Sequence, residues 1–574
     1  MILFTKYLEE IKNEISKDKQ LKDFINKKDL NNINLEKPPE NFDFDLSSNI
    51  ALVIGKKNAL KPIEIAEKIK NILLNKIKDF SHVNIAGPGF INIKLSKYAW
   101  IKIIKSIYKN KKDYGSNKKK KKYNIEFVSA NPTGPLHVGH CRGAIFGDVL
   151  SNLLIFNGNS VTKEFYVNDY GNQINIFSES VYYRLKEIKL NETFPNDKNL
   201  YPGKYIIDIS KKIIKSNPKL NLNNFLNIRK KLTKESIKQS MILIKNDLKR
   251  LGIKHDKFFY ESEIVRKNLI KKSLVKLKND KLVLDGYLEP PKGDDKSNWK
   301  KTKKLIFKSS LFGDDSDRAL QKGDGSWTYF ANDLAYHANK ISRNYDYLIN
   351  ILGADHIGYT KRITAGVKAI SKNKTELICK VCQLVKLYKN DEPFKMSKRQ
   401  GEFISVEDLL NEVNRDSIRF MMLNRGNDVE LDFDFNKVLE KNKDNPVFYV
   451  QYCYARINSL FRSLKIKLNK DIKLDSKYFQ LNSFEYKLLR KIIEWPKIIE
   501  VASNKLEPHR ITFYLNELAT IFHSYWSEGN KKDEFKFILN GKINKVTSFK
   551  IFQLISIILE NGMSILGVSL PKKM

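Results

Sequence analysis

Cysteine is scarce in this chain: Cys141, Cys379, Cys382 and Cys453 are its only thiols in 574 residues. So few and so scattered, they exclude a disulfide framework and point to a reducing compartment. Cys379 and Cys382 form a lone "CKVC" with no second pair at metal-binding spacing. The surrounding "TELICKVCQLVKLYK" reads as an amphipathic helix, so a structural helix is predicted there rather than a zinc or redox site. The N-terminal "MILFTKYLEEIKNEISKDKQ" lacks an uninterrupted apolar core and alternates charge with apolar residues. That excludes a signal peptide or membrane span in this stretch and predicts a cytoplasmic protein without a membrane partner. No tandem repeat is present, and no Ser/His/Asp or Cys/His constellation supplies a covalent nucleophile. Acidic residues are outnumbered, 65 against 104 basic ones, leaving a net charge of +39. Such a chain repels itself unless a polyanion is its partner, and nucleic acid is the natural one. A general drift toward Lys, Asn and Ile raises the charge equally well, so charge alone does not decide the matter.

What is present divides the chain. Its length leads to an expectation of roughly three to four domains. Residues 1–117 form an α+β module, with a helix over "PIEIAEKIKNILLNKI" and a hairpin over "HVNIAGPGFINIKLS" that turns at Gly87-Pro88-Gly89. Five consecutive lysines, Lys118–Lys122, mark a solvated linker or a phosphate contact. From Tyr123 the pattern becomes βαβ: "YNIEFVS" is a buried strand, "GAIFGDVLSNLLIF" a helix ended by Asn157-Gly158, and "SVTKEFYV" the next strand. A second strand–loop–helix is predicted over "YDYLINILGADHIGYTKRITAGVKAI". Two such units predict a doubly wound parallel sheet with ligands at the carboxyl ends of its strands. Residues of about 172–304 read as a helical, basic insertion between the two halves. From residue 441 to 574 helical patterns rich in Tyr and Phe predict an all-α bundle, whose rings either pack inside it or stack on unpaired bases.

Two motifs carry chemistry. In "NPTGPLHVGHCRGA", His137 and His140 lie three residues apart at a helix start, where unpaired N–H groups and the dipole attract anions. Gly139 between them leaves room for a flat ring against the backbone. A metal reading needs a third ligand, and Cys141 points about 100° away around the helix. A satisfied structural pair is the other alternative. Far along the chain, "EPFKMSKRQGEFISVEDLL" crowds Lys395, Lys398 and Arg399 around Ser397, with a capping box "SVED" behind them. A cationic loop of this kind suits charge developing on a triphosphate.

Together, "HVGH" and "KMSKR" resemble, with one substitution each, the HIGH and KMSKS signatures of class I aminoacyl-tRNA synthetases. The wording "EFVSANPTGPLHVGH", "YVNDYGNQI", "LFGDDSDRAL", "TYFANDLAYHANK", "GADHIGY" and "NPVFYVQYCYARI" is similar to the arginyl-tRNA synthetase family along almost the whole chain. The resemblance implies a multidomain fold: a Rossmann-like α/β catalytic domain with a doubly wound parallel sheet over 123–440, an additional N-terminal α+β domain over 1–117, and an all-α anticodon-binding bundle over 441–574. It implies activation of L-arginine by ATP, taken as its Mg2+ complex with no tightly bound metal, followed by transfer to tRNA(Arg). His137, His140, Lys395 and Lys398 would be catalytic, and these with Gly139 and Ser397 would hold ATP. Glu126, Asn131, Tyr329, Asp333, Asp355 and His356 would hold arginine, and the chain would act as a monomer. A guanidinium demands a carboxylate partner, which fits Asp333 with Tyr329 one helical turn before it. A synthetase for another amino acid, a non-catalytic RNA-binding derivative and a small-molecule nucleotidyltransferase are the rival readings.

Overall fold

The structure, a computed structural model, describes residues 3–18, 20–24, 32–39, 42–288, 302–394 and 404–574. Helix α1 (Leu3–Lys17) buries Phe4, Tyr7, Ile11 and Ile15, a 3–4–4 spacing that puts them on one face. Strands β1 (Leu35–Glu36) and β2 (Leu46–Ser48), helices α2 (Ile50–Asn58) and α3 (Pro62–Lys76), the hairpin β3 (Phe80–Ala86) and β4 (Phe90–Leu95), and helix α4 (Lys97–Asn110) complete the module. Its antiparallel sheet runs β1-β2-β4-β3. The hairpin turns where Gly87 and Gly89 adopt φ of +54° and +134°, which explains two glycines in four residues.

The lysine run is pinned to the rest of the molecule. Lys119 donates its backbone N–H to the carbonyl of Asn157 and its ammonium to Asn504 Oδ1, and Lys122 already belongs to strand β5 (Lys122–Glu126). Helix α5 (Val138–Phe156) and strand β6 (Ser160–Val167) follow. Helices α6 (Asn172–Leu190), α7 (Lys204–Ser216) and α8 (Phe225–Arg250) lead to β7 (Lys257–Tyr260), and then to α9 (Ser262–Arg266), α10 (Leu269–Asn279), β8 (Val283–Gly286) and β9 (Lys304–Phe307). The stretch 172–304 is therefore less purely helical, and less separate, than its sequence pattern. Strand β7 is the edge of the main sheet, paired in parallel with β6. With only four residues, it is too short for a period to show.

Strand β10 (Arg318–Ala319) joins β9 and β8 in a small antiparallel sheet of order β10-β9-β8, and helix α11 (Tyr329–Ile341), β11 (Tyr347–Gly353), α12 (Thr360–Ser371) and β12 (Glu376–Cys382) then finish the main sheet, whose order is β12-β11-β5-β6-β7. The chain builds outward from β5 to β7 on one side, then returns to lay β11 and β12 on the other. The topological switch point thus falls between β5 and β11, and the carboxyl ends of these strands are where sheets of this kind take their ligands, in the crevice outside them.

The segment "TELICKVCQLVKLYK" is not a helix. It forms β12 and, after a break at Gln383-Leu384, β13 (Val385–Lys389). Seven residues of β12 pair with β11, and this partner overrides a helix-like apolar spacing. Cys379 and Cys382 are three apart on a strand, so their side chains leave opposite faces. Strand β13 also pairs with β14 (Glu392–Pro393) and, across α13 (Val406–Glu412) and α14 (Arg415–Met421), with β15 (Leu431–Asp434). After α15 (Phe435–Leu439), helices α16 (Pro446–Ser463), α17 (Ser483–Lys505), α18 (His509–Lys531) and α19 (Val546–Leu566) form the predicted bundle. Among the described residues α19 alone is long and apolar enough to cross a membrane, and 89% of its apolar window is buried as the core of that bundle.

Candidate active site

The histidine turn is a reciprocal cap. His137 stands at the N-cap of α5, where its Nδ1 accepts the N–H of Gly139 at 3.1 Å. The Nδ1 of His140 accepts the N–H of His137 at 3.3 Å. Both Nδ1 atoms act as acceptors, so each neutral ring carries its proton on Nε2. The rings lie 3.8 Å apart between centroids. Burial lowers both pKa values, that of His140 to about 4 with His137 adding to the effect. Both are therefore neutral, directional donors at neutral pH. Gly139 has a steric reason beyond ligand access: a Cβ there would stand 2.9 Å from Cε1 of His137. Behind the turn, Asp247 accepts the N–H of Leu136 at 3.0 Å, and burial raises its carboxyl to about 6.

The second motif joins the first through the backbone. Val138 donates to the carbonyl of Ile404, and Val406 donates to that of Leu136, each at 2.9 Å; His137 and Ser405 form an antiparallel bridge between them. Ser405 and Asp408 make the predicted capping box of α13. Lys395, Ser397, Lys398 and Arg399 themselves lie outside the described residues. The residues immediately following that motif are nevertheless tied to the histidine turn, some 265 positions away in sequence.

Across the switch point the crevice is acidic. Glu126 ends β5, and the chain then turns through Val128 and Ser129 at φ of +70° and +42°. A β-branched residue in the left-handed region is strained. The turn brings Ser129 Oγ back to donate to Glu126 Oε1 at 3.1 Å while accepting the Tyr166 N–H at 3.1 Å. Lys340 donates to the other oxygen of Glu126. Asp333, on α11, accepts the Tyr359 hydroxyl at 2.5 Å; burial raises its carboxyl to about 6, with the nearby Glu126 charge pushing the same way. Glu261 accepts from Asn332 at 2.9 Å and is raised to about 7, again by burial first. The charges of Glu261, Asp333, Glu126 and Asp169 all act on the Tyr166 hydroxyl, whose pKa is raised chiefly by burial. Asn131 follows the strained turn and donates to Gln173 at 2.7 Å.

The remaining candidates are more open. Tyr329 is 78% exposed at the start of α11, and the hydroxyl that reaches Asp333 belongs to Tyr359. Asp355 and His356, side chains 79% and 60% exposed, stand on the turn after β11 with Nε2 of the imidazole 3.4 Å from the carboxylate. Tyr359, Glu261, Ser129 and Lys340 carry no assignment in the sequence reading. Tyr359 closes the quoted "GADHIGY", and Glu261 follows a strand too short to detect, so position at a strand's carboxyl end was their one available signal.

Comparison with known proteins agrees with this architecture. Residues 6–95 match the family model "Arginyl tRNA synthetase N terminal domain", 103–460 match "tRNA synthetases class I (R), catalytic domain", and 450–574 match "DALR anticodon binding domain". The arginine–tRNA ligase of Pelagibacter ubique is 55% identical over 550 residues, covering 95% of either chain. That of Ehrlichia ruminantium (strain Welgevonden) is 45% identical over 540 residues, covering 92% of each. Among solved structures, a putative arginyl-tRNA synthetase from Campylobacter jejuni superposes with a TM-score of 0.73 at 31% identity, covering 84% of this chain and all of that one. The Thermus thermophilus arginyl-tRNA synthetase covers the whole of both chains at a TM-score of 0.71 and 18% identity, a likeness of fold. A catalytic-domain match over more than half the chain, with relatives this similar over nearly its full length, settles the family: the chain belongs to the arginyl-tRNA synthetases, class I aminoacyl-tRNA synthetases.

Proposed function

We propose that this arginine–tRNA ligase holds arginine in the acidic crevice between β5 and β11 and ATP against the histidine turn. The observation that carries the reading is the group of carboxylates, Glu126, Asp333, Glu261 and Asp169, gathered around Tyr166, with two neutral imidazole donors at the start of the helix that follows β5. A guanidinium is a permanent, planar cation that a carboxylate binds best in two-point fashion, and Asp333 with Tyr359 offers such a partner. Tyr329, one turn earlier on α11, joins it when substrate is bound. Glu126 and Asn131 hold the α-amino end, and Asp355 and His356 stand at the mouth toward the adenosine.

Arginine's carboxylate attacks the α-phosphorus of ATP, which arrives as its Mg2+ complex, and pyrophosphate leaves. His137 and His140 donate to the phosphates, Gly139 leaves them room, and Lys395, Ser397 and Lys398 add donors from the loop before Ile404. Fixed donors aimed at developing charge are the largest source of rate in such a step, and no covalent enzyme intermediate is needed. The 2′-hydroxyl of the terminal adenosine of tRNA(Arg) then attacks the carbonyl of the arginyl-adenylate, and the acyl–phosphate bond breaks to release AMP. We take the working units as 1–117, 123–440 and 441–574, acting as a monomer in the cytoplasm. In the last unit, Arg456 lies 4.1 Å from the Tyr452 ring and 5.5 Å from the Trp526 ring, a half-buried stack suited to an unpaired base.

The test is ATP–pyrophosphate exchange with each standard amino acid, with and without bulk tRNA. Exchange is expected with arginine and tRNA together, and Lys398→Ala should slow it by about 10²-fold with tRNA affinity unchanged. Exchange driven by another amino acid, or unaltered by Lys398→Ala, would overturn the reading.

A further inference from the structure

Lys340 is fully buried in the last turn of α11. Its ammonium donates to Glu126 Oε2 and, at 3.1 Å, to Asn350 Oδ1 on β11. The amide nitrogen of Asn350 is 3.0 Å from Nε2 of His337, whose Nδ1 is 2.9 Å from the carbonyl of Asp333. A carbonyl only accepts, so Nδ1 of His337 carries the proton and Nε2 accepts from the Asn350 amide. That fixes the Asn350 oxygen toward Lys340. Burial, reinforced by the charge of Lys340, keeps His337 neutral. Donation therefore runs outward from Lys340, through Asn350 and His337 to the carbonyl of Asp333 on one side and directly to Glu126 on the other. With Ser129 on its other oxygen, Glu126 has both oxygens committed. Among the described residues, the Asp333 carboxylate receives the Tyr359 hydroxyl and no cation.

Arginine is cationic at both ends, at its guanidinium and its α-ammonium. Two equally available carboxylates would accept it in either direction, and only one direction brings its carboxylate to the α-phosphorus. We infer that Lys340 is a positioning residue that gives the arginine pocket its polarity: by occupying Glu126 it makes Asp333 the stronger acceptor, so the guanidinium enters toward Asp333. This rests on the reading that Glu126 and Asp333 hold arginine. Removing a cation from a pocket for a dication lowers repulsion, so the loss of Lys340 weakens orientation rather than affinity.

The experiment is tRNA-dependent exchange on the full chain carrying Lys340→Met, Lys340→Met with Glu126→Gln, or Asp333→Asn. In Lys340→Met, kcat is expected to fall about tenfold or more while KM for arginine stays level or falls and KM for ATP is unchanged. The double variant restores the imbalance between position 126 and Asp333 and leaves no unpaired buried charge, so it should recover kcat at least several-fold over the single variant, or show exchange where the single variant does not fold. A raised KM for arginine in Lys340→Met, or a double variant without that recovery, would mark Lys340 as merely structural and overturn the inference. Asp333→Asn separates the two layers. If it raises KM for arginine while the Lys340 variants behave structurally, only the polarity of the pocket is wrong; if it leaves KM unchanged, the pocket itself is misplaced and the inference falls with it.

Discussion

Two buried clusters of charge, one around Asp148 of helix α5 and one around Glu126 at the end of β5, are built on opposite plans. At the joint with the C-terminal bundle, Asp148 of α5 accepts from Arg419 at 2.5 Å and from Lys163 at 2.6 Å. Arg419 also donates to the carbonyls of Leu251 and Leu566, at 2.9 and 2.8 Å, so α5, α8, α14 and α19 meet at one guanidinium. Each polar group there has a partner within the protein. At the crevice, four carboxylates act on the Tyr166 hydroxyl while the buried Lys340 donates to one of them, Glu126, and two of the four have raised pKa values. A cluster that holds a fold together neutralises itself, whereas one that waits for a ligand keeps a surplus of one sign.

The contrast predicts opposite responses to removal of a charge, and the largest belongs to the joint. Arg419→Met leaves Asp148 short of a partner and two buried carbonyls without a donor, and should destabilise the protein by about 3–5 kcal/mol. Denaturant unfolding measures this, and a change under about 1 kcal/mol would show that the joint is not the staple its geometry describes. The crevice should give a binding effect instead. Asp333→Asn is expected to raise KM for arginine about 10- to 100-fold, the cost of losing a charged partner, with KM for ATP within about twofold. Its melting temperature should not fall, because a like-charged neighbour of Glu126 has been removed. Equal effects on the two Michaelis constants would erase the distinction between the clusters.

The smallest effect concerns pH. An aspartate whose carboxyl is raised to about 6 in the fold holds its proton more tightly there than in the unfolded chain, where its value is near 3.9. Its ionisation therefore weakens the fold. As pH rises from about 4 to about 6, wild type should lose stability relative to Asp333→Asn. Over the same rise KM for arginine should fall as the carboxylate forms, continuing toward pH 7 as Glu261 ionises. Thermal melts across about pH 4–6 and exchange kinetics across about pH 5–8 check both signs, and melting temperatures of the two proteins that run parallel with pH would count against a perturbed Asp333.

Much of the scaffold was legible in the chain. The α5 helix, its stop at Asn157-Gly158, the strand "SVTKEFYV" and the hairpin at Gly87-Pro88-Gly89 coincide with elements of the structure. Each depends on local periodicity, a cap or a turn residue. The histidine pair could be read as an anion site for the same reason, since a helix start is a local feature. The "CKVC" segment misled because a short apolar run fits both periods, and only the neighbouring β11 decides between them.

By itself, then, the sequence determined where most helices and hairpins begin and end and that two histidines stand at a helix start, because backbone preference and capping act over a few residues. Tertiary structure alone decided that Tyr359 rather than Tyr329 touches Asp333, that Lys340 occupies Glu126, and that Ile404 and Val406 bind the turn bearing His137. Those partners are tens to hundreds of residues apart, and their pairing depends on which strand ends the parallel sheet brings to one switch point.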